Sequence, residues 1–337
     1  MRWALRLLVA ALLLEGLVRV LVVLPPVRDR LWGPEGGELR PRLALACAGL
    51  GDDWEYLEHD PALGWQPRRA WQKTTLWGEV GHDATGARLV PGTATEGTRV
   101  VLLGDSFTYG ADVGNGETWA ARLAARRPDL AVTNLGVPGF SLEQILLRWR
   151  RDGRPLQPDV VVLGFVESDI DRTGHGHYGR DKPWATLADD GLAWHGQPVP
   201  SPEEACRARR LQPWTLLLGR WLVQGTPFAQ TTRSERLAVS AAVVETLWRE
   251  VEATGATFVL LHLPMDSELG LPGAPTRPPV RLQAWAEEHG VPFADPTPAL
   301  KAALARGVAL EKGQHYAPEA NDLVAAALAE ALPAAAP

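Results

Sequence analysis

The sequence predicts an α/β fold built around a parallel sheet. From Arg99 onward, short runs rich in Val, Ile and Leu alternate with longer amphipathic segments, and Gly and Pro mark the turns between them. Alternating strand and helix patterns produce a parallel sheet, because each helix returns the chain to the start of the next strand. The chain has 337 residues, of which 46% are hydrophobic and 22% are charged, as expected for a globular protein with a substantial core.

The predicted elements account for one doubly wound domain over residues 99–335. Strands are expected near 99–104, 131–135, 159–164, 257–263 and 291–294, and helices near 117–127, 141–151, 235–254, 278–289 and 317–332. Residues 171–234 are rich in Gly, Pro, Trp and His and contain little regular pattern. Because long irregular connections are uncommon inside a compact domain, this segment is predicted to be an insertion or lid.

The N-terminal segment is predicted to be a membrane anchor over residues 1–26. Its apolar run from Leu7 to Leu24 would span about 27 Å as a helix, close to the roughly 30 Å hydrocarbon core of a bilayer. Glu15 and Arg19 interrupt the run at a spacing that allows them to pair. A cleaved signal peptide and a soluble amphipathic helix are the alternatives. Residues 27–98, which show no sustained periodicity, are predicted to be an irregular leader.

Composition excludes several classes of function. The net charge of −6 argues against nucleic-acid binding. No glycine-rich phosphate loop is present, and His175 and His177 lack an accompanying set of metal ligands, so neither a cofactor nor a metal is predicted. Cys47 and Cys206 are compatible with one disulfide or with two free thiols.

Candidate catalytic residues follow the predicted strands. The buried strand at 100–103 runs into Gly104-Asp105-Ser106, where the serine is presented on a tight turn. Loops that follow parallel strands meet at one edge of the sheet, where ligands bind. The later loops carry Asn134-Leu-Gly-Val-Pro-Gly139, Ser168-Asp169 and His315.

These residue types fit acyl transfer. A serine nucleophile needs a base to remove its proton, and the tetrahedral intermediate needs hydrogen-bond donors for its oxyanion. His315 is the candidate base. The backbone N–H groups of Ser106 and Gly136 are candidate oxyanion donors, and a glycine at 136 would allow the backbone to approach the acyl oxygen closely.

At this point the chain resembles the GDSL, or SGNH, hydrolase family, and in particular its membrane-anchored bacterial members. The resemblance is carried by Gly104-Asp-Ser-Phe107, Asn134-Leu-Gly-Val-Pro-Gly139, His315-Tyr-Ala-Pro-Glu319 and the lead-in segments Asp60-Pro-Ala-Leu-Gly-Trp65 and Gly81-His-Asp-Ala-Thr-Gly-Ala-Arg88. It implies a flavodoxin-like three-layer sandwich, a serine ester hydrolase with nucleophile Ser106 and base His315, and a catalytic domain on the external or periplasmic side of the cell membrane.

The sequence departs from the family pattern at two points. Ser168 stands where the family usually has an asparagine whose amide donates to the oxyanion, and its hydroxyl is the candidate replacement. Gly313 and Lys312 stand where the family usually places an aspartate before the histidine. Glu311 is the nearest upstream carboxylate, and we expect either Glu311 or a backbone carbonyl to orient the ring of His315. Asp105 and Asp169 are expected to support the site.

Three functions are compatible with these predicted site residues and with the family resemblance. The leading one is an esterase or deacylase acting on an ester-bearing small molecule or an acylated glycan. The second is an O-acyltransferase acting on a cell-surface polysaccharide, and the third is a binding protein that keeps the fold after losing the usual asparagine and aspartate. Protein partners are not indicated by any feature of the sequence.

Overall fold

The computed structural model describes residues 2–23, 55–178, 180–189, 191–210, 215, 231–271 and 282–333. The chain divides into two compact units. One unit takes its residues from 1–65, 175–183 and 195–232, and the other from 66–174, 184–194 and 233–337. The predicted insertion at 171–234 is thus shared between the units, and part of the predicted leader belongs to the second one.

The described residues contain fifteen strands. They are β1 (Leu57–Asp60), β2 (Gly64–Pro67), β3 (Gln72–Thr75), β4 (Gly78–Gly81), β5 (Thr98–Leu103), β6 (Leu130–Asn134), β7 (Val160–Phe165), β8 (His177–Tyr178), β9 (Arg180–Asp181), β10 (Trp184–Ala188), β11 (Gly191–His195), β12 (Thr257–His262), β13 (Phe293–Ala294), β14 (Glu311–Lys312) and β15 (His315–Tyr316).

The helices among the described residues are α1 (Arg2–Val23), α2 (Ser106–Tyr109), α3 (Trp119–Arg126), α4 (Leu142–Arg148), α5 (Ser168–Arg172), α6 (Pro202–Arg210), α7 (Arg233–Glu252), α8 (Asp266–Leu269), α9 (Leu282–His289), α10 (Thr297–Ala305) and α11 (Pro318–Ala331). A π-helical turn, Trp149–Gly153, and a 3-10 turn, Arg154–Leu156, extend α4. A second 3-10 turn, Asn115–Glu117, precedes α3.

The central sheet lies in the second unit and has five parallel strands in the order β13-β12-β7-β5-β6. This confirms the parallel sheet predicted from the alternating pattern. Leu103 of β5 pairs with Leu163 of β7, so these two central strands end at nearly the same level. The loops that follow them, which carry Ser106 and Ser168, therefore leave the same edge of the sheet.

Helices cover the two faces of the sheet. Alternate strand residues point to opposite faces. Val100, Leu102 and Val259 belong to the core cluster formed with α3 and α11. On the other face, α7 packs against β12 and α4 packs against α7. Because both faces are covered, the central strands are continuous apolar runs rather than alternating ones, which is why they were recognisable in the sequence.

The segment before the sheet is more ordered than its composition predicts. Strands β3 and β4 pair as an antiparallel hairpin in the second unit, although residues 27–98 were expected to be irregular. Gln72 to Thr74 of this hairpin are exposed, so the strands lack the alternating apolar pattern that identifies a half-buried strand. The closing helix α11 begins and ends close to its predicted bounds, whereas α10 was not predicted as a separate element.

The N-terminal helix α1 spans 22 residues and carries charged side chains within its apolar run. Glu15 forms an ion pair with Arg19 at 2.8 Å, and it also accepts a hydrogen bond from the backbone N–H of Thr215 at 2.9 Å. Among the described residues, no helix combines the length and apolarity needed to cross a bilayer. The transmembrane anchor predicted for residues 1–26 is therefore not supported. Cys47 lies outside the described residues, so the pairing of Cys47 with Cys206 stays open.

Candidate active site

Ser106 is the first residue of α2, directly beyond the end of β5. The buried carboxylate of Asp105 caps this helix by accepting the N–H of Phe107 at 2.9 Å. The Ser106 hydroxyl donates to the same carboxylate over a long 3.4 Å. As the N-terminal residue of a helix, Ser106 has no intrahelical acceptor for its own N–H, which is one of the three donors predicted for the oxyanion.

His315 lies on β15, which packs against α2. The ring of Phe107 lies edge-on to the imidazole, with the ring centres 5.0 Å apart. The residue that follows Ser106 thus contacts His315. Nε2 of His315 forms no hydrogen bond with any residue that the structure describes, and Ser106 donates to Asp105 rather than to His315.

The acid next to His315 is Asp112. Its Oδ2 lies 2.7 Å from Nδ1 of His315 and accepts the N–H of Gln314 at 2.9 Å. Partial burial opposes ionisation of Asp112, but the hydrogen bonds with His315 and Gln314 outweigh it, so the pKa of Asp112 lies below its usual value. A carboxylate can only accept, so Nδ1 carries the proton of the neutral ring and Nε2 is left as the basic nitrogen.

The loop that presents Asp112 is held on two sides. Within the turn, the N–H groups of Gly110 and Ala111 both donate to the carbonyl of Ser106 at 3.0 Å. On the outer side, Nη2 of the buried Arg88 donates to the carbonyl of Val113 at 2.9 Å. Asp112 itself has a φ of +63°, a conformation that Asp tolerates better than most residues. The position of the carboxylate is therefore determined by the turn that follows Ser106 and by Arg88.

Gly313 makes room for Asp112. It lies between β14 and β15 with a φ of +69°, and a Cβ placed on it would come within 2.5 Å of Oδ2 of Asp112. Gly313 is also one of the positions where the resemblance predicts an aspartate. A side chain at position 313 would therefore clash with the carboxylate of Asp112.

The expectation that either Glu311 or a backbone carbonyl orients the ring of His315 is wrong, because Nδ1 of His315 is bonded to Asp112. Strands β14 and β15 form an antiparallel pair in which Glu311 is opposite Tyr316, whereas Lys312 is opposite His315. Opposite residues share a face, so Lys312 rather than Glu311 lies on the face of His315. A hydrogen bond with Asp266, together with burial and the charge of Asp266, raises the pKa of Glu311 to about 7.

Gly136 was expected to offer its N–H to the oxyanion, but the structure pairs this group within its own loop. Its N–H donates to Oδ1 of Asn134 at 2.9 Å, so this group is already paired. A Cβ at Gly136 would come within 2.4 Å of the backbone nitrogen of Tyr109, so the glycine is required by close contact with α2. Beyond it, Val137 donates to the carbonyl of Gly104, and a turn closed by the N–H of Phe140 places Gly139 at a φ of +77°. The N–H of Gly139 has no acceptor among the described residues.

Ser168 begins α5 at the end of β7, and its hydroxyl has no hydrogen-bond partner in the part of the chain that the structure describes. The next residue, Asp169, is fully buried and accepts a hydrogen bond from the guanidinium of Arg172. Arg172 also binds Asp105 at 2.6 Å, so one guanidinium joins the loops that carry Ser106 and Ser168. Burial and the nearby charge of Asp105 raise the pKa of Asp169 to about 8 despite Arg172.

Sequence reasoning missed Asp112 and Arg172. Asp112 follows Ser106 closely in the chain but precedes His315 by 203 residues, so no local motif links it to the histidine. The one available signal was the absence of an acid before His315, which calls for a search of carboxylates on the other loops at this edge. No cluster of three or more His, Cys, Asp or Glu side chains within the described ranges is arranged to hold a metal ion.

Solved structures similar to this chain include three bacterial proteins. The first is described as a putative lipolytic protein of the G-D-S-L family from Desulfitobacterium hafniense, with 17% identity, 70% of this chain and 99% of that chain covered, and a TM-score of 0.40. A G-D-S-L family protein from Veillonella parvula shows 15% identity, 69% and 97% coverage, and a TM-score of 0.42. The acetylxylan esterase Axe2 from Geobacillus stearothermophilus shows 16% identity, 72% and 96% coverage, and a TM-score of 0.42.

No curated protein matches the chain. The family model of GDSL-like lipases and acylhydrolases matches residues 102–323, which is well over half of the chain and includes Ser106, Gly136, Ser168 and His315. The protein therefore belongs to the GDSL-like lipase/acylhydrolase family.

Proposed function

We propose that this protein is a serine ester hydrolase whose catalytic triad is Ser106, His315 and Asp112. The observation that carries the proposal is the 2.7 Å hydrogen bond between Asp112 and Nδ1 of His315, on a strand that packs against the helix of Ser106. This contact supplies the acid that the sequence pattern lacks before the histidine. The alternative of an inactive binding protein was based on the missing aspartate and the missing asparagine, and the contact bears on the first of these.

In the proposed reaction, the Ser106 hydroxyl rotates from its long hydrogen bond with Asp105 toward Nε2 of His315. His315 removes the proton as Oγ attacks the ester carbonyl, and Asp112 stabilises the imidazolium that forms. The imidazolium then protonates the departing alkoxide, leaving an acyl group on Ser106. A water molecule, deprotonated by His315, releases the acid and restores the serine.

The oxyanion is proposed to bind the N–H of Ser106, the N–H of Gly139 and the hydroxyl of Ser168. Gly139 replaces Gly136 in this role because the N–H of Gly136 is already bonded to Asn134, whereas that of Gly139 has no acceptor among the described residues. Ser168 lies on the loop joined to the nucleophile loop through Arg172. In a serine protease, removal of one oxyanion donor costs about 100-fold to 1,000-fold in kcat.

Reaction of the purified chain with a fluorophosphonate probe, followed by intact mass measurement, tests the activated serine without knowledge of the substrate. The expected result is a single adduct on the wild type that is absent in Ser106→Ala and His315→Ala and formed much more slowly in Asp112→Asn. Asp322→Asn is the matched control, because it removes an exposed carboxylate that pairs with Arg126 on the helical surface. A wild-type chain that is folded but unreactive contradicts the proposal.

A further inference from the structure

The relative position of Ser106 and His315 is not set by a hydrogen bond between them. The hydroxyl of Ser106 donates to Asp105. The Nδ1 atom of His315 is bonded to Asp112. The two residues lie on separate elements, α2 and β15, which are far apart in the chain. Because proton transfer requires the two side chains to come within hydrogen-bond reach, contacts elsewhere must hold α2 against β15.

Asn321 is a fully buried amide near the start of α11. Its Nδ2 atom donates to the carbonyl of Tyr316 at 3.0 Å and to the carbonyl of Ala317 at 3.2 Å. Its Oδ1 atom accepts the backbone N–H of Trp119 at 3.1 Å. A carbonyl can only accept and a backbone N–H can only donate, so these three partners fix the orientation of the amide. The side chain thereby joins the end of β15 to the first residue of α3.

Trp119 extends this connection to the helix of Ser106. Its side chain is fully buried, and Nε1 of the indole donates at 3.0 Å to the carbonyl of Phe107, the residue that follows Ser106. The backbone N–H of Trp119 is one of the N–H groups at the start of α3 that lack a partner within the helix, and Asn321 supplies its acceptor. One residue therefore contacts α2 with its side chain and Asn321 with its backbone.

The other end of the connection lies beside His315. Tyr316 directly follows His315 on β15, and Asn321 binds its carbonyl. The side chain of Tyr316 is held as well, because its hydroxyl donates to the carbonyl of Pro264 at 2.7 Å. The ring of Phe107 lies edge-on to the rings of His315 and Tyr316, with ring centres 5.0 Å and 4.9 Å apart. Phe107 and Tyr316 are therefore joined both by direct ring contact and through Asn321.

We propose that Asn321 is a positioning residue that holds His315 within reach of Ser106. It acts through Tyr316 on one side and through Trp119 on the other. Both ends of the connection attach to backbone carbonyls one residue away from the side chains that exchange the proton, so a shift of the connection changes their separation. A displacement of about 1 Å can cost about 100-fold in rate. This inference rests on the proposed function, because only in that reaction does His315 take the proton of Ser106.

The test measures kcat and KM for 4-nitrophenyl acetate on the full chain, together with the free energy of unfolding in urea. Asn321→Ala removes the amide, and Trp119→Phe removes the donor to Phe107 while keeping an aromatic ring. Each variant is expected to lower kcat by about 10-fold to 100-fold with KM nearly unchanged. Thr93→Val is the matched control, because it removes a part-buried hydroxyl that accepts the N–H of Val132 at 2.7 Å in the edge strand β6. The control is expected to lower stability and to leave kcat unchanged.

The double variant separates positioning from a general loss of stability. Because Asn321 and Trp119 act in series, the double variant is expected to have the kcat of the more impaired single variant, whereas two independent effects would multiply. If Asn321→Ala does not fold, Asn321→Asp takes its place, since the carboxylate keeps the size of the side chain and the acceptor for Trp119 but removes the donor to Tyr316.

Multiplied effects on kcat, or folded single variants with the kcat of the wild type, overturn the inference and leave the proposed function intact. A wild type that neither hydrolyses 4-nitrophenyl acetate nor reacts with fluorophosphonate refutes the proposed function, and the inference is lost with it. The activity of the wild type therefore distinguishes the two failures.

Discussion

The role of Asp112 gives the most specific prediction. Replacement by Asn keeps the size of the side chain but removes its charge, so the imidazolium formed during acylation loses its partner. Charges about 4 Å apart attract by about 4 kcal/mol at the effective dielectric of about 20 that suits a partly exposed pair. Since about 1.4 kcal/mol changes a rate tenfold, Asp112→Asn is expected to lower kcat by about 1,000-fold. In serine proteases the loss of the more deeply buried aspartate costs about 10,000-fold.

The assay is steady-state hydrolysis of 4-nitrophenyl acetate, with circular dichroism to show that each variant is folded. Glu311→Gln, on the adjacent strand, is the matched control because its side chain pairs with Asp266 instead of His315. A folded Asp112→Asn variant that loses less than about tenfold in kcat, or a Glu311→Gln variant that loses as much as Asp112→Asn, refutes the reasoning.

A relocation experiment tests the same geometry in the opposite direction. Gly313→Asp alone is expected to lower activity, because its Cβ would come within 2.5 Å of Oδ2 of Asp112. Asp112→Gly with Gly313→Asp removes that clash and moves the carboxylate to the position predicted by the family resemblance. The double variant is therefore expected to be at least about tenfold more active than Asp112→Gly, and equal activity of the two would show that position 313 cannot replace position 112.

Three further predictions concern residues around the triad. Arg88→Met is expected to lower kcat, with KM nearly unchanged, because the carbonyl of Val113 loses the donor that holds the Asp112 loop. Arg88→Lys should recover part of kcat. Equal defects in the two variants would contradict a positioning role for Arg88. Gly136→Ala is expected to destabilise the fold by more than about 2 kcal/mol in urea unfolding, and a smaller loss would show that α2 can move away from the added methyl. The pKa of Asp169 is raised to about 8 in the folded state, against a value near 4 in the unfolded state. Between these pH values the folded state holds a proton that the unfolded state releases. The free energy of unfolding therefore falls as the pH rises, by up to about 1.4 kcal/mol per pH unit. Asp169→Asn should flatten the dependence of unfolding free energy on pH between 5 and 8, and an unchanged slope would assign the titration to another group.

The parallel sheet was predictable because strands that are buried on both faces are continuous apolar runs in the sequence. Val160 to Phe165 is apolar throughout, and its position after a polar turn identifies it as a central strand. The position of the loop that carries Ser106 was predictable for a related reason, since Asp105-Ser106 follows such a strand almost directly. By contrast, the β3–β4 hairpin is polar and mostly exposed, so its strands differ little from an irregular segment in composition.

The acid of the site could not be read from the sequence because its position depends on two turns distant in the chain. Asp112 reaches His315 only because Gly110 and Asp112 both adopt positive φ and because Gly313 has no side chain. The carboxylate nearest to His315 on its upstream side in the sequence is Glu311. In the β14–β15 pair, however, Glu311 is opposite Tyr316, and its side chain forms a hydrogen bond with Asp266. The pairing of the N–H of Gly136 with Asn134 is instead a local contact, of the kind that an Asn two residues before a turn glycine commonly makes.

The contact between Arg88 and Val113 has a practical consequence for anyone who isolates the catalytic part of this chain. The family model begins at residue 102, so a fragment cut at that boundary would keep the serine and histidine but lose Arg88. Such a fragment would contain every residue that the family model matches, yet the loop that carries Asp112 would lack its contact with Arg88. A fragment intended to report the native activity should start no later than Gln66, where the unit that contains the sheet begins.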